Sequence, residues 1–200
     1  MSRPQNLSAS DAKARLQAGN QRYVQEQTTG ERRDSARRAE LTGGQAPYAT
    51  IIACADSRVG PELVFDEGLG DIFVIRVAGN INSPDVLGSV EYASLHLGVN
   101  LVVVLGHQSC GAVGAAVAAA DGADKHGNSI DSLVDAILPA VHQAKEAGAD
   151  DLSDASIRAN AALQAQLMGG DEAAMAGLAK LGCEVVPAYY SLETGEVTFL

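Results

Sequence analysis

The chain has 200 residues, of which 46% are hydrophobic and 4% aromatic, with no tryptophan and a formal net charge of −11. That length predicts a single domain over residues 1–200, with a core large enough to fold without disulfides. The charge excludes nucleic acid and anionic membrane as partners, because both repel such a surface.

Ser8-x-x-Asp11 reads as a capping box opening a helix that runs to about Gln27, with Leu16, Tyr23 and Val24 on one face. Residues 31–42 read as a second helix, stopped by Gly43-Gly44. Its arginines (32, 33, 37 and 38) are interspersed with Glu31, Asp34 and Glu40, which at helical spacing form i,i+4 pairs. That pattern describes a solvated or subunit-facing helix rather than an RNA-binding one. A strand is predicted over 48–54, then a helical turn near 61–65 and a strand over 72–77. Ser83-Pro84 is a cap followed by proline at the first helical position, so a helix runs to about Leu97. A strand over 101–105 precedes an alanine-rich helix from Gly111, and further helices are predicted over 131–147, 153–167 and 171–181. The chain closes with a strand over 184–190, a turn at Glu193-Thr194-Gly195 and a strand over 197–200, a hairpin pattern. Helices between strands predict an α/β fold: a mainly parallel central sheet flanked by helices, with a C-terminal antiparallel edge.

Three cysteines are an odd number, and Met1–Asn6 leads into no apolar run of the signal-peptide kind. No stretch approaches the ~20 apolar residues of a membrane helix. The expected setting is a reducing cytoplasm, where thiols serve metal or chemistry rather than disulfides.

Two motifs carry that chemistry. C-A-D-S-R (54–58) follows the apolar run 49–53, and H-Q-S-C (107–110) follows the apolar run 101–105. In an open parallel sheet, ligands gather beyond the carboxyl ends of the strands. Cys54 and His107 stand at two such ends, and Cys110 comes three residues after His107 as the chain turns into a helix. Two thiolates and an imidazole suit Zn²⁺ rather than Mg²⁺ or Ca²⁺. Three protein ligands leave a fourth position open, the catalytic pattern; Cys183 reads as a buried thiol elsewhere. Taken singly, H-x-x-C and a strand-end cysteine are weak patterns, but Asp56 and Arg58 have no packing reason to stand beside them. Zn²⁺ with two thiolates and a neutral histidine is formally neutral, hence a weaker acid than with three histidines. Asp56 can accept a hydrogen bond from bound water, and Arg58 can hold Asp56 ionised and aimed, giving a zinc-hydroxide nucleophile near neutral pH. A thiol-phosphatase reading fails, because Gly60 stands where that chemistry wants an arginine.

These residues, with P-E-L-V-F-D (61–66), G-D-I-F-V-I-R (70–76), A-G-N (78–80), S-V-E-Y-A (89–93), G-H-Q-S-C-G-A-V (106–113) and Y-S-L-E-T-G-E-V (190–197), make the chain resemble the β-class carbonic anhydrases along nearly its whole length. The resemblance implies reversible hydration of CO₂ to bicarbonate and a proton. It implies one Zn²⁺ per chain on Cys54, His107 and Cys110, and a catalytic dyad of Asp56 and Arg58. It places Gln45, Phe73 and Tyr92 around the substrate cleft, some of them supplied across a subunit boundary. It also implies an N-terminal helical arm (residues 1–44) embracing a partner, in a homodimer or homotetramer. A subgroup of that family carries tryptophan three residues before the first cysteine ligand and lets the aspartate onto zinc. Here that position is Ile51, so Asp56 is expected to pair with Arg58. Val77, where asparagine is frequent, is assigned no consequence. His96 is expected in the core; His126 and His142 are expected to be exposed. Two alternatives stand beside this activity: hydrolysis of carbonyl sulfide or carbon disulfide at the same site, and a non-catalytic zinc-binding protein.

Overall fold

The structure is a computed structural model that describes residues 6–124, 126–169, 178 and 182–200. Helix α1 spans Ala9–Val24, with Ser8 accepting from the Asp11 amide as its cap. It ends earlier than Gln27 because Glu26 adopts a left-handed backbone (φ 56°). Helix α2 spans Ser35–Glu40 and runs into a 3₁₀ turn over Leu41–Gly43. The strands are β1 (Ala49–Ala53), β2 (Ile72–Arg76), β3 (Leu101–His107), β4 (Glu184–Tyr190) and β5 (Val197–Phe199). Between them come α3 (Pro61–Val64), a 3₁₀ turn at Ala78–Asn80, α4 (Pro84–His96), α5 (Gly111–Ala120), α6 (Ile130–Glu146) and α7 (Leu152–Gly169). Apart from Leu178, the helix predicted over 171–181 lies outside the described residues.

Among the described residues the five strands form one sheet in the order β2-β1-β3-β4-β5. The first four are parallel and β5 is antiparallel to β4. Strands β1 and β3 are buried on both faces, which is why they read as unbroken apolar runs. On one face Ile51, Leu101, Val103 and Leu105 pack with Leu16 of α1 and with Phe65. On the other, Ile52, Val102 and Val104 pack with Val86 and Val90 of α4 and Met168 of α7. A third cluster joins α5, α6 and α7 and contains Cys54 and Cys110. Strand β3 runs two residues further than predicted because β4 pairs with it to the end, Gly106 with Tyr189 and His107 with Tyr190.

The basic segment does not form the predicted i,i+4 ladder. Arg32 has φ 60° and cannot continue a helix, and α2 starts only after Asp34, whose side chain accepts from the Arg37 amide at 2.8 Å. Arginines of this segment and of α1 turn instead to three buried carboxylates in the loop before β2. Arg32 reaches Asp71 at 2.7 Å, Arg22 reaches Asp66 at 2.7 Å, and Arg15 pairs with Glu67 at 2.5 and 3.0 Å. Arg37 is itself buried, donating to the Leu69 carbonyl at 2.9 Å. Asn20, buried on α1, donates to the carbonyls of Val64 and Gly195 and accepts from the Val197 amide, so the first helix is bonded to the last strand.

Candidate metal centre

Parallel pairing of β1 with β3, with Ala53 opposite Leu105, puts the two strand ends side by side. Cys54 follows β1, and His107 is the last residue of β3. Ser109 takes a left-handed backbone (φ 56°), and this tight turn brings Cys110 back at the start of α5. The ligand atoms of Cys54, His107 and Cys110 all lie within 4.8 Å of one another, and all three residues are buried. Among the described residues no other group of histidine, cysteine and carboxylate side chains converges in this way.

The donor set fits a divalent cation. His107 is fully buried, and its Nδ1 lies 2.9 Å from the Gln108 carbonyl oxygen. A carbonyl only accepts, so the ring proton is on Nδ1 and the Nε2 lone pair faces the thiols; that buried nitrogen has no hydrogen-bond partner. The Cys54 thiol is shifted well below its ordinary value, chiefly by the hydrogen bond from Cys110 and also by the Gly79 N–H at 3.3 Å; Cys110 is pushed up correspondingly. A dication bound by both sulfurs would displace their protons.

Asp56 stands beside this group, its Oδ2 3.9 Å from His107 Nε2. Arg58 grips it in a fork: Nε to Oδ1 at 2.9 Å, Nη2 to Oδ2 at 2.7 Å, with the Arg58 amide adding a third bond at 2.9 Å. These bonds hold the Asp56 carboxyl well below the usual carboxylate range. The pairing expected from Ile51 is the one observed, and Ile51 itself is core.

Arg76 escapes the sequence reading. It donates from Nε to the Cys54 carbonyl at 3.0 Å and from Nη2 to the Asp56 carbonyl at 2.6 Å. The pattern that marks Arg58, a guanidinium at the carboxyl end of a strand, was equally present here. Arg58 also reaches the Ser109 carbonyl at 3.1 Å and so ties the two motifs together.

Gln45, Phe73 and Tyr92 are not gathered with the ligands within one chain. Phe73 is paired with Thr50, four residues and about 13 Å of strand from Cys54. Tyr92 lies beside Phe73, ring centroids 6.4 Å apart, and is 48% exposed. Gln45 precedes β1 and is exposed on an open hollow lined by Arg32, Arg37, Glu40 and Leu41. His96 is not core: it ends α4, is exposed, and stacks on Tyr92 at 5.1 Å. His126 and His142 are exposed as expected, and Cys183 is buried, accepting from Ser94 at 3.5 Å.

Fold and site together define an α/β protein with a cysteine–histidine–cysteine centre at the carboxyl ends of a parallel sheet. Residues 49–197 match the carbonic anhydrase family. The chain is 39% identical over 180 residues to carbonic anhydrase 2 of Mycobacterium tuberculosis, covering 90% of this chain and 87% of that protein. It is 38% identical over 182 residues to a carbonic anhydrase of Mycolicibacterium smegmatis, covering 91% and 88%. Among solved structures, a tetrameric β-carbonic anhydrase of Sordaria macrospora superposes with a TM-score of 0.71 at 23% identity, covering 95% of this chain and 97% of that one. The β-carbonic anhydrase CcaA superposes with a TM-score of 0.69 at 26% identity, covering 94% of each chain. The chain belongs to the carbonic anhydrase family, in its β class, whose reaction is the reversible hydration of carbon dioxide.

Proposed function

We propose that Cys54, His107 and Cys110 hold one zinc ion, and that Asp56 and Arg58 carry the hydration of CO₂ beside it. The observation that supports this most directly is the unpartnered, buried Nε2 of His107 facing two thiols, with an ionised carboxylate 3.9 Å away. A zinc ion bound there would supply the Lewis acidity that brings ionisation of a water at the centre toward neutral pH. Asp56 accepts a hydrogen bond from the attacking oxygen's O–H and so aims its lone pair at the carbon of CO₂. Arg58 keeps Asp56 from taking that proton outright and fixes the carboxylate plane. Gln108, through its carbonyl, keeps the ring proton of His107 on Nδ1 and so leaves the Nε2 lone pair free for a metal.

The cleft is completed by a second copy of the chain, which brings its own Gln45, Phe73 and Tyr92, residues too far along the sheet to serve their own chain's centre. Gln45 donates to a CO₂ or bicarbonate oxygen, while Phe73 and Tyr92 line an apolar slot. The minimal unit is thus a homodimer, with residues 1–44 as an arm on a single domain. A reducing cytoplasm is the proposed location, in keeping with three buried cysteines that form no disulfide; among the described residues no helix is long and apolar enough to cross a membrane.

Asp56→Asn tests the reading. Hydration measured by stopped flow is expected to fall by about 100-fold or more in kcat, with zinc content unchanged. Hydration at the unaltered rate in a zinc-loaded variant would remove the role given to the carboxylate.

A further inference from the structure

We propose that Asn160, on α7, is a positioning residue of the metal centre and acts on the Cys54 sulfur through the backbone of Gly79. The proposal rests on the metal reading given above. Gly79 donates its N–H to Cys54 Sγ at 3.3 Å. It sits in the 3₁₀ turn Ala78–Asn80 with φ 73°, and the residue that caps this turn makes no side-chain bond to it. A Cβ at Gly79 would stand 2.6 Å from Ile137 Cδ1 and 3.2 Å from Ala112 Cβ, and the left-handed backbone there favours glycine. The Asn80 N–H closes the turn on the Val77 carbonyl at 2.9 Å, which leaves the Gly79 carbonyl to be held from outside.

Asn160 supplies that hold. Its side chain is fully buried, and Nδ2 donates to the Gly79 carbonyl at 2.9 Å. Its Oδ1 accepts from Gln164 Nε2 at 3.2 Å. Gln164, also buried, donates to the Ala136 carbonyl on α6 at 3.2 Å and accepts from the Asn82 amide at 2.8 Å. Two side-chain amides one helical turn apart thus bridge α6, α7, the 3₁₀ turn and the chain that follows it. Burying two amides where apolar side chains would pack is costly unless their bonds have a use. The bonds end at the atom that sets the direction and strength of one thiolate donor. An N–H fixed against a sulfur draws off electron density and selects which lone pair is free, as outer-shell groups do around metal ligands.

The full chain is loaded with zinc, or with cobalt as a spectroscopic probe, and compared with Asn160→Ala and with Gln164→Met, which leaves Asn160 in place but removes its anchor. Met168→Ala, on the same helix but packed against the opposite cluster, is the packing control. Asn160→Ala is expected to raise the zinc Kd in chelator competition by about 10- to 100-fold and to shift the thiolate-to-cobalt absorption band. Gln164→Met is expected to shift both in the same direction by less, so the proposal stays testable if Asn160→Ala does not fold. Met168→Ala is expected to lower Tm while leaving affinity and band in place. The proposal is overturned if Gln164→Met and any folded Asn160→Ala stay within twofold of the unaltered chain with the same band, or if Met168→Ala moves these readouts as far. Failure of the unaltered chain to take up either metal would overturn the metal reading itself, and the role of Asn160 with it.

Discussion

Arg76 restrains the ligand loop through two carbonyls, those of Cys54 and Asp56, at 3.0 and 2.6 Å. Because both bonds leave one rigid fork, they fix the spacing between the residue that carries a sulfur and the residue that carries the carboxylate. A lysine keeps the charge but can reach one carbonyl at a time. Arg76→Lys is therefore expected to weaken zinc binding by about tenfold in chelator competition, with little change in thermal unfolding, since the side chain is exposed. At this scale the sequence was most readable where function lies in the side chain itself. Cys54, His107 and Cys110 announce their chemistry by residue type at a strand end, and Asp56 with Arg58 by having no place in a core. Arg76 carried the same strand-end signal as Arg58, but Asn160 carried none, because it works through the backbone of Gly79, 81 positions away, and nothing local to it records that partner.

Helix α1 lies against the segment after α3 so closely that a Cβ at Gly19 would sit 1.9 Å from the Phe65 carbonyl oxygen. Backbone cannot yield as a flexible side chain does. Gly19→Ala is expected to destabilise the fold by about 1–3 kcal/mol in urea unfolding, with hydrogen exchange rising first in α1. The same packing explains which elements the sequence located and which it misplaced. Strands β1 and β3 were found because burial on both faces leaves an unbroken apolar run. The helix read over 31–42 shrank to Ser35–Glu40 because Arg32 and Arg33 turn to the carboxylates of Asp71 and Asp66, an attraction from outside the segment that outweighs i,i+4 spacing within it.

For the whole molecule, parallel pairing was readable from alternating helices and strands, but the order β2-β1-β3-β4-β5 was not, since it depends on which faces meet. That order leaves Phe73 and Tyr92 on the outer flank of the sheet, remote from their own chain's sulfurs. If the cleft is shared, Asp56→Asn chains mixed with Gln45→Ala chains are expected to recover activity that neither has alone, because each mixed pair holds one site with both residues intact; no recovery after subunit exchange would confine the site to one chain. Acid acts on the molecule as a whole. Arg58 holds Asp56 low; burial raises Asp66 and Asp154, but Arg22 with the Thr29 and Gly30 amides, and Tyr189 with Arg158, outweigh it and leave both lowered. A carboxylate whose folded value is depressed stabilises the fold above its unfolded value, about 4, and loses that contribution as pH falls through the folded one. The contribution of these carboxylates to Tm is accordingly expected to be constant from pH 7 to about 5 and to be lost progressively below about pH 4.

Asn20 imposes an order of events on synthesis. Helix α1 leaves the ribosome well before β5, yet two of the three bonds of its buried amide go to Gly195 and Val197. Those partners come 175 and 177 positions later in the chain. Helix α1 can find its place early but cannot lock there until β5 has emerged, so a nascent chain stalled short of Gly195 would carry a loosely seated α1, open to proteases that spare the finished fold.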